Sequence, residues 1–191
     1  MTMKPKKSEF QHSPEAKELI DMLRSSPFNR DYRKVDLPVK NFFTSLAGYT
    51  HPDEERETIT PDRIFEAVPD FQRENNKWSQ SMQIKFVENV LKGFIAQITI
   101  FSVGKNSYHF QILDGLQRIT ALYAFMTGEF KVFGYTFQEL CEMRVISVCD
   151  CISVRLYEFD NKNDAINFYI DMNENITHSP QDIEKAKKYL V

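Results

Sequence analysis

Five consecutive residues, Asp114-Gly-Leu-Gln-Arg118, combine side chains that bind phosphate with a backbone that a phosphate can approach. They follow an alternating apolar stretch and precede apolar residues at helical spacing, so we predict a strand, a short turn and a helix N-terminus. Gly115 permits a tight turn. The first N–H groups of the helix lack internal partners and lie at the positive end of its dipole. This context is typical of phosphate sites.

The side chains in and after this turn allow two interpretations. Arg118 carries a permanent charge with a fork geometry that suits phosphate or carboxylate, and Thr120 adds a hydroxyl. Asp114 could hold a divalent cation such as Mg²⁺, orient a water molecule, or simply cap the helix. Helix-start patterns of this length recur by chance, so the residue types alone leave an anion site and a plain cap equally open.

A second segment, Val68-Pro-Asp-Phe-Gln-Arg73, lies in a predicted loop. Its Gln72 and Arg73 are polar groups of the kind that bind phosphate. Taken alone, such a pair is more typical of a solvent-exposed turn.

The elements that must position these residues are helices and strands in mixed order. Serine or threonine before proline or before an apolar periodic stretch predicts helix starts at Ser13, Thr60 and Ser79, and Thr136-x-x-Glu139 is a capping box. Residues 26–37 are polar and are predicted to form a loop. Alternation predicts strands at 96–100, 108–112 and 152–156, the first two forming a hairpin. This order favours an α+β fold over a doubly wound parallel sheet.

Composition narrows the class of protein. The 191 residues, 42% of them hydrophobic with 16 Phe and 8 Tyr, suffice for one aromatic-rich core. A net charge of −3 excludes a global basic field, so DNA would need a local patch, such as the lysines near the N-terminus or the basic residues of 24–34. No signal peptide or membrane-length apolar run is visible, which predicts a cytoplasmic protein without a membrane partner. Cys141, Cys149 and Cys151 are predicted to be buried cysteines in strands rather than disulfides or metal ligands.

Taken together, the segments VPDFQR, a helix ending in KGF, a hairpin and ILDGLQRITALYAF resemble the DGQQR-signature family. This family provides the N-terminal domain of GmrSD-type modification-dependent restriction proteins. The tail, Phe168-Tyr-Ile-Asp-Met-Asn173 and Ser179-Pro-Gln-Asp-Ile183, is also similar to the family pattern. The resemblance covers roughly Thr58 to Leu190. It implies a domain at residues 58–191, preceded by an N-terminal helical extension at residues 1–57.

The resemblance implies a ParB/sulfiredoxin-like fold that binds a nucleoside triphosphate with Mg²⁺ or another divalent cation, and hydrolysis coupled to DNA cleavage or its regulation. Asp114, Gln117 and Arg118 would be catalytic, with Arg118 and Arg73 on the phosphates, Asp114 on metal or water, and Gln117 orienting the attacking water. Gln72, Arg73, Gly115, Arg118 and Thr120 would bind the nucleotide. DNA, a separate nuclease or a defence protein would be partners.

One departure from the family pattern keeps other functions open. Leu116 replaces the first Gln of DGQQR, and a leucine side chain cannot form a hydrogen bond. No His pair with Asn of the HNH nuclease kind is visible, so a complete chain would be the nucleotide module alone. Besides a hydrolase, we therefore consider a non-catalytic regulator, phage-encoded or from another mobile element, that binds nucleotide, DNA or protein. A third possibility is a degenerate relative that serves protein contacts only.

Overall fold

The computed structural model describes residues 13–26, 30–72, 78–104, 107–147, 150–174 and 180–190. The chain forms two compact units, Met1–Asp31 and Tyr32–Val191. The described part of the first unit contains helix α1 (Pro14–Arg24), which Ser13 caps as predicted, because its Oγ accepts a hydrogen bond from the Ala16 N–H. No residue of α1 is buried.

The second unit is built on a four-stranded mixed sheet in the order β1-β4-β2-β3. The strands β2 and β3 form the predicted antiparallel hairpin, β4 runs parallel to β2, and β1 runs antiparallel to β4. This arrangement confirms the predicted α+β class. The strands are β1 (Tyr32–Pro38), β2 (Gln97–Val103), β3 (Gln111–Asp114) and β4 (Cys151–Phe159).

Six α-helices are described around this sheet, and two of them start at predicted caps, whereas Thr60 precedes a 3₁₀ turn and its side chain forms no capping hydrogen bond. Ser79 Oγ accepts a hydrogen bond from the Met82 N–H, and the capping box of Thr136 and Glu139 is formed. Within the described residues, no helix has the length and apolar character needed to cross a bilayer. The helices are α2 (Phe42–Thr50), α3 (Gln80–Leu91), α4 (Leu116–Met126), α5 (Phe137–Glu142), α6 (Lys162–Asn173) and α7 (Pro180–Lys187), with 3₁₀ turns at Val39–Asn41, Arg56–Thr58 and Pro61–Ala67.

Strand β1 corrects the prediction of a loop at residues 26–37. Its side chains are mostly exposed and three of them are charged, so the segment lacks the apolar alternation that predicts a strand. The residues pair with β4 on one side only, and charges are common on such edge strands. The sheet therefore takes a strand from the stretch that was predicted to be an N-terminal extension.

The second predicted strand of the hairpin also begins later than its alternation indicates. Tyr108 and Phe110 precede β3, which starts at Gln111. The Phe110 N–H donates to the carbonyl of Tyr49 instead of to β2, and its ring packs at 6.1 Å from the ring of Tyr49. Pairing with the end of α2 thus replaces strand pairing at these residues.

The sheet separates two groups of buried side chains. Alternation along the strands turns Ile98, Ile100 and Val154 to a first face, where α2, α3, α4 and α5 pack. Phe101 and Tyr157 turn to the second face, which α6 and α7 cover together with Phe71. The aromatic-rich core that composition predicted is confirmed by the largest fully buried side chains, which include Phe42, Phe71, Phe101, Phe125, Phe168 and Tyr169.

Two of the three cysteines lie in the described residues, and both are half-buried. Cys141 lies in α5, where burial raises the pKa of its thiol, and Cys151 begins β4. The prediction of buried strand cysteines is therefore confirmed for the strand position of Cys151 and wrong for Cys141, and neither residue is fully buried. Cys149 lies outside the described residues.

The fully buried ring of Phe71 anchors the Val68–Gln72 segment on the second face, at 5.4 Å from the ring of Tyr169. We expect Phe71→Ala to lower the free energy of unfolding by about 3–5 kcal/mol, measured by urea titration, because it leaves a core cavity. Phe94→Ala is the matched control: the Phe94 side chain is 58% exposed, and we expect about 0.5 kcal/mol or less. Equal effects of the two substitutions would contradict this anchoring.

Candidate functional site

A β-bulge at the end of β3 determines where the Asp114 side chain points. Ile100 of β2 pairs with Ile112, whereas the neighbouring Thr99 pairs with Asp114, so Leu113 is an extra residue on β3. Regular alternation from Ile112 would turn Asp114 to the first face. The bulge instead places it beside Thr99 on the second face. Bulges commonly re-aim a side chain next to a functional site.

The carboxylate of Asp114 is joined to Arg118, one helical turn further on. Arg118 Nη1 lies 3.2 Å from Asp114 Oδ2 and also donates to the backbone carbonyl of Gln97, at 2.5 Å. These bonds hold the guanidinium where β3 ends, α4 begins and β2 begins. The side chains of Asp114 and Arg118 are 31% and 34% exposed, so a ligand can reach both, and the ion pair itself adds little stability.

Gly115 joins the strand to the helix in a conformation that favours glycine. It has φ 97° and ψ 14°, in the left-handed region. A Cβ at this position would lie 2.9 Å from Cγ1 and 3.3 Å from Cα of Ile98. The start of α4 therefore lies directly against β2. The N–H groups of Leu116 and Gln117, which have no partner inside the helix, lie at the same end of the sheet as the Asp114–Arg118 pair.

The side chains of two residues at the start of α4 form hydrogen bonds with the backbone of the protein itself. Gln117 is 8% exposed, and its Oε1 accepts a hydrogen bond of 3.1 Å from the Trp78 N–H, which ties α4 to the residue before the cap of α3. Thr120 Oγ1 donates to the Leu116 carbonyl at 3.0 Å. The roles predicted for Gln117 and Thr120 toward a nucleotide stay predictions.

The side chain of Leu116, which stands where the family pattern has Gln, is 9% exposed. It points into the protein at the first position of α4. The helix start therefore presents backbone groups rather than this side chain.

The second predicted segment reaches the same strand as Asp114. Gln72 is 5% exposed, and its Nε2 donates to the Ile112 carbonyl at 2.5 Å, two residues before Asp114. The structure thus brings Gln72 beside β3 as a structural contact. Lys185 of α7 donates from Nζ to the Gln72 carbonyl at 2.6 Å. Arg73, the other predicted phosphate ligand of this segment, lies outside the described residues.

Three polar residues of this region were missed by reasoning from the sequence. Thr99 and Arg155 alternate with apolar residues, as at any strand position with one exposed face. Lys185 lies among other charged residues of a short helix, so its sequence context does not mark it as special. The pairing of strands brings Thr99 between Asp114 on β3 and Arg155 on β4. Which polar residues become neighbours depends on the register between strands. The sequence of one strand does not contain this information.

A divalent cation at this site would need a bound nucleotide to supply further oxygen ligands. Within the described ranges, no group of three or more His, Cys, Asp or Glu side chains comes together that could hold a metal ion. Asp114 supplies one carboxylate. Mg²⁺ is commonly held by one or two carboxylates together with water and substrate phosphates, so the residues present fit a Mg²⁺ that arrives with a nucleotide.

Comparison with known proteins gives one match. A family model described as "GmrSD restriction endonuclease, N-terminal domain" matches residues 55–189, more than half of the chain. The match includes both predicted segments, α4 and the C-terminal helices. No curated protein and no solved structure matches. The ParB/sulfiredoxin-like fold therefore stays a prediction.

Substitution of Gly115 tests the contact between α4 and β2. We expect Gly115→Ala to lower the free energy of unfolding by about 1–2 kcal/mol for the left-handed conformation and by a further 1–3 kcal/mol for crowding against Ile98. Gly93 is a matched control, because its φ of 95° is similar and a Cβ there meets nothing within 4 Å. Gly93→Ala should show only the first cost in urea unfolding. Equal losses for both variants would show that the close approach to β2 is unimportant.

Proposed function

The chain belongs to the family of GmrSD restriction endonuclease N-terminal domains, and we propose that it binds a nucleoside triphosphate and couples its hydrolysis to DNA cleavage or to the regulation of DNA defence. The observation that carries this proposal is the half-exposed Asp114–Arg118 pair, fixed at the N-terminus of α4 by the bulge and by the Gln97 carbonyl. A cation, a carboxylate and unpartnered N–H groups meet there, as phosphoryl chemistry requires.

Binding of the phosphates rests on Arg118 and the start of α4. Within the described residues, the bonds of the guanidinium to Asp114 and Gln97 both use Nη1, which leaves Nε and Nη2 to donate to a phosphate. The N–H groups of Leu116 and Gln117, at the positive end of the helix dipole, add donors for the same phosphate. In the proposal, Arg73 contributes a second charge from the neighbouring segment.

Hydrolysis rests on Asp114 and Gln117. The Asp114 carboxylate would hold Mg²⁺ or orient the attacking water; a bound Mg²⁺ would neutralise charge that develops on the phosphate oxygens. Gln117 would orient the water through Nε2 while Oε1 stays bonded to the Trp78 N–H. This assignment makes Gln117 both a positioning residue and a direct contact.

A second candidate function, nucleotide binding without turnover, is favoured by Leu116 and Gln117. Leu116 stands where the family motif has an amide side chain, and it is buried. The side-chain oxygen of Gln117, Oε1, already accepts a hydrogen bond from the Trp78 N–H. Such a domain would sense a nucleotide and regulate a nuclease domain, a defence protein or DNA access. The net charge of −3 favours contact with DNA through a partner or a local patch over a broad DNA-binding surface.

Titration with nucleotides tests the proposal. We would measure heat of binding and phosphate release for each nucleoside triphosphate with Mg²⁺, for the parent chain, Arg118→Ala and Arg118→Lys. We expect Arg118→Ala to weaken binding at least about tenfold, since a charged hydrogen bond contributes about 1.5–3 kcal/mol, and to abolish release. Arg118→Lys keeps the charge without the fork, so it should fall between the two.

The outcomes of this titration separate the candidates. Binding with phosphate release, both lost in Arg118→Ala while the thermal unfolding midpoint is kept, supports the hydrolase. Binding without release favours the regulator. If no nucleotide binds to the folded parent chain, the Asp114–Arg118 pair is only a structural contact, and the domain serves contacts with other macromolecules.

Substitution of Leu116 tests whether this residue limits turnover. If the missing amide does so, Leu116→Gln should raise the rate of phosphate release by about tenfold or more, a change within the range that one positioned group contributes. Leu116→Met is the control, because it changes shape at the same buried position without adding an amide. Equal release rates in the two variants, at preserved nucleotide affinity, would show that Leu116 does not limit the reaction.

A further inference from the structure

Four polar residues lie in register across the second face of the sheet. Asp114 of β3 pairs with Thr99 of β2, Thr99 with Arg155 of β4, and Arg155 with Lys34 of β1. Residues paired across neighbouring strands point to the same face, and neighbouring strands lie about 4.8 Å apart. Asp114 and Arg155 are therefore about 10 Å apart on one face, with the nearly buried Thr99 between them.

The charges in this row are arranged unfavourably for folding alone. Arg155 and Lys34 are directly opposite each other, and like charges in that position destabilise a sheet. Lys34 has a partner, because its Nζ lies 3.5 Å from Asp36 Oδ1. Within the part of the chain that the structure describes, Arg155 forms no ion pair with a carboxylate. Among the described residues, the row thus contains a cation without a carboxylate partner.

Aromatic contacts hold Arg155 in place. Its guanidinium carbon lies 4.8 Å from the centre of the Tyr32 ring, and that ring lies 5.3 Å from the ring of Tyr157. Tyr157 is buried and packs at 4.9 Å from Phe168 of α6. A guanidinium stacked over a ring keeps its N–H donors in its own plane, where an anion can accept from them. Arg155 is therefore both charged and preorganised.

Along the strands, the second face consists of an apolar half and a polar half. Helices α6 and α7 cover the half that carries Phe101, Tyr157 and Phe159. The other half carries two buried hydroxyl groups: Thr99, 2% exposed, lies between Asp114 and Arg155 in the row, and Ser153, 5% exposed, lies two residues before Arg155 on β4. This polar half reaches the Asp114–Arg118 ion pair through Asp114, which belongs to the row.

We propose that Arg155 binds a second phosphate group of the ligand, so that the site extends from Arg118 across β2 to Arg155 and accepts a polyphosphate chain rather than a single phosphate. The inference rests on the proposed function and names the part of the ligand that the second face recognises. Lys34, next to Arg155 in the row, strengthens the same subsite through its charge. Tyr32 is a positioning residue, because it acts through the guanidinium of Arg155.

A series of nucleotides that differ in the number of phosphates tests this subsite. We would measure the Kd of one nucleoside as its mono-, di- and triphosphate for the parent chain, Arg155→Met, Lys34→Met and Arg33→Met. We expect Arg155→Met to weaken triphosphate binding about tenfold or more and to leave monophosphate binding unchanged. Lys34→Met should weaken triphosphate binding by a smaller factor. Arg33 is the matched control: it neighbours Lys34 on β1, faces the other side of the sheet and pairs with Glu158 at 3.2 Å.

Several results would overturn the inference. Unchanged triphosphate affinity in Arg155→Met, with the parent chain binding normally, would remove the subsite and leave the proposed function intact. Equal loss for mono- and triphosphate would place Arg155 on the same phosphate as Arg118. A parent chain that binds no nucleotide would end both proposals. If Arg155→Met does not fold, the same series of nucleotides is measured with Arg155→Lys, which keeps the charge and loses the fork geometry, and with Lys34→Met. Unchanged triphosphate affinity in both variants then overturns the inference.

Discussion

The contact between Gly115 and Ile98 is the constraint on which the candidate site depends. A residue with a side chain could not pass so close to β2, and the left-handed turn of Gly115 directs the chain from the end of β3 into α4. Only with α4 starting at this point does Arg118 reach the Gln97 carbonyl. The ion pair with Asp114 follows from that placement, since the two residues are one helical turn apart.

The bulge before this turn has an equally specific effect. A strand with regular alternation would place Asp114 among the apolar side chains of the first face, where an ionised carboxylate is costly to bury. The extra residue, Leu113, lets one strand contribute an apolar side chain to the second core and a carboxylate to the polar half of the same face. Two adjacent residues thereby supply a core contact and the carboxylate of the candidate site.

Local signals in the sequence predict what is local in the structure. The caps at Ser13 and Ser79, the hairpin and the helix after Gly115 depend on neighbouring residues, and all are confirmed. Contacts over long separations were not predictable. Gln117 bonds to a backbone group 39 residues away and Gln72 to one 40 residues away, so their partners are determined by which segments fold together. Strand β1 was missed because its exposed, charged side chains carry no apolar period.

The Gln72 side chain also affects whether the edge of the sheet can pair with a second molecule. An outermost strand exposes backbone groups that can pair with a second molecule and begin aggregation. At the β3 edge, the amide of Gln72 occupies the Ile112 carbonyl, and Lys185 fixes the Gln72 backbone in turn. At the opposite edge, β1 carries Arg33, Lys34 and Asp36, whose hydration and charge disfavour a neighbouring strand. A hydrogen bond within the chain thus covers one carbonyl of β3, and charged side chains line β1, and both features disfavour pairing of the sheet with a second copy.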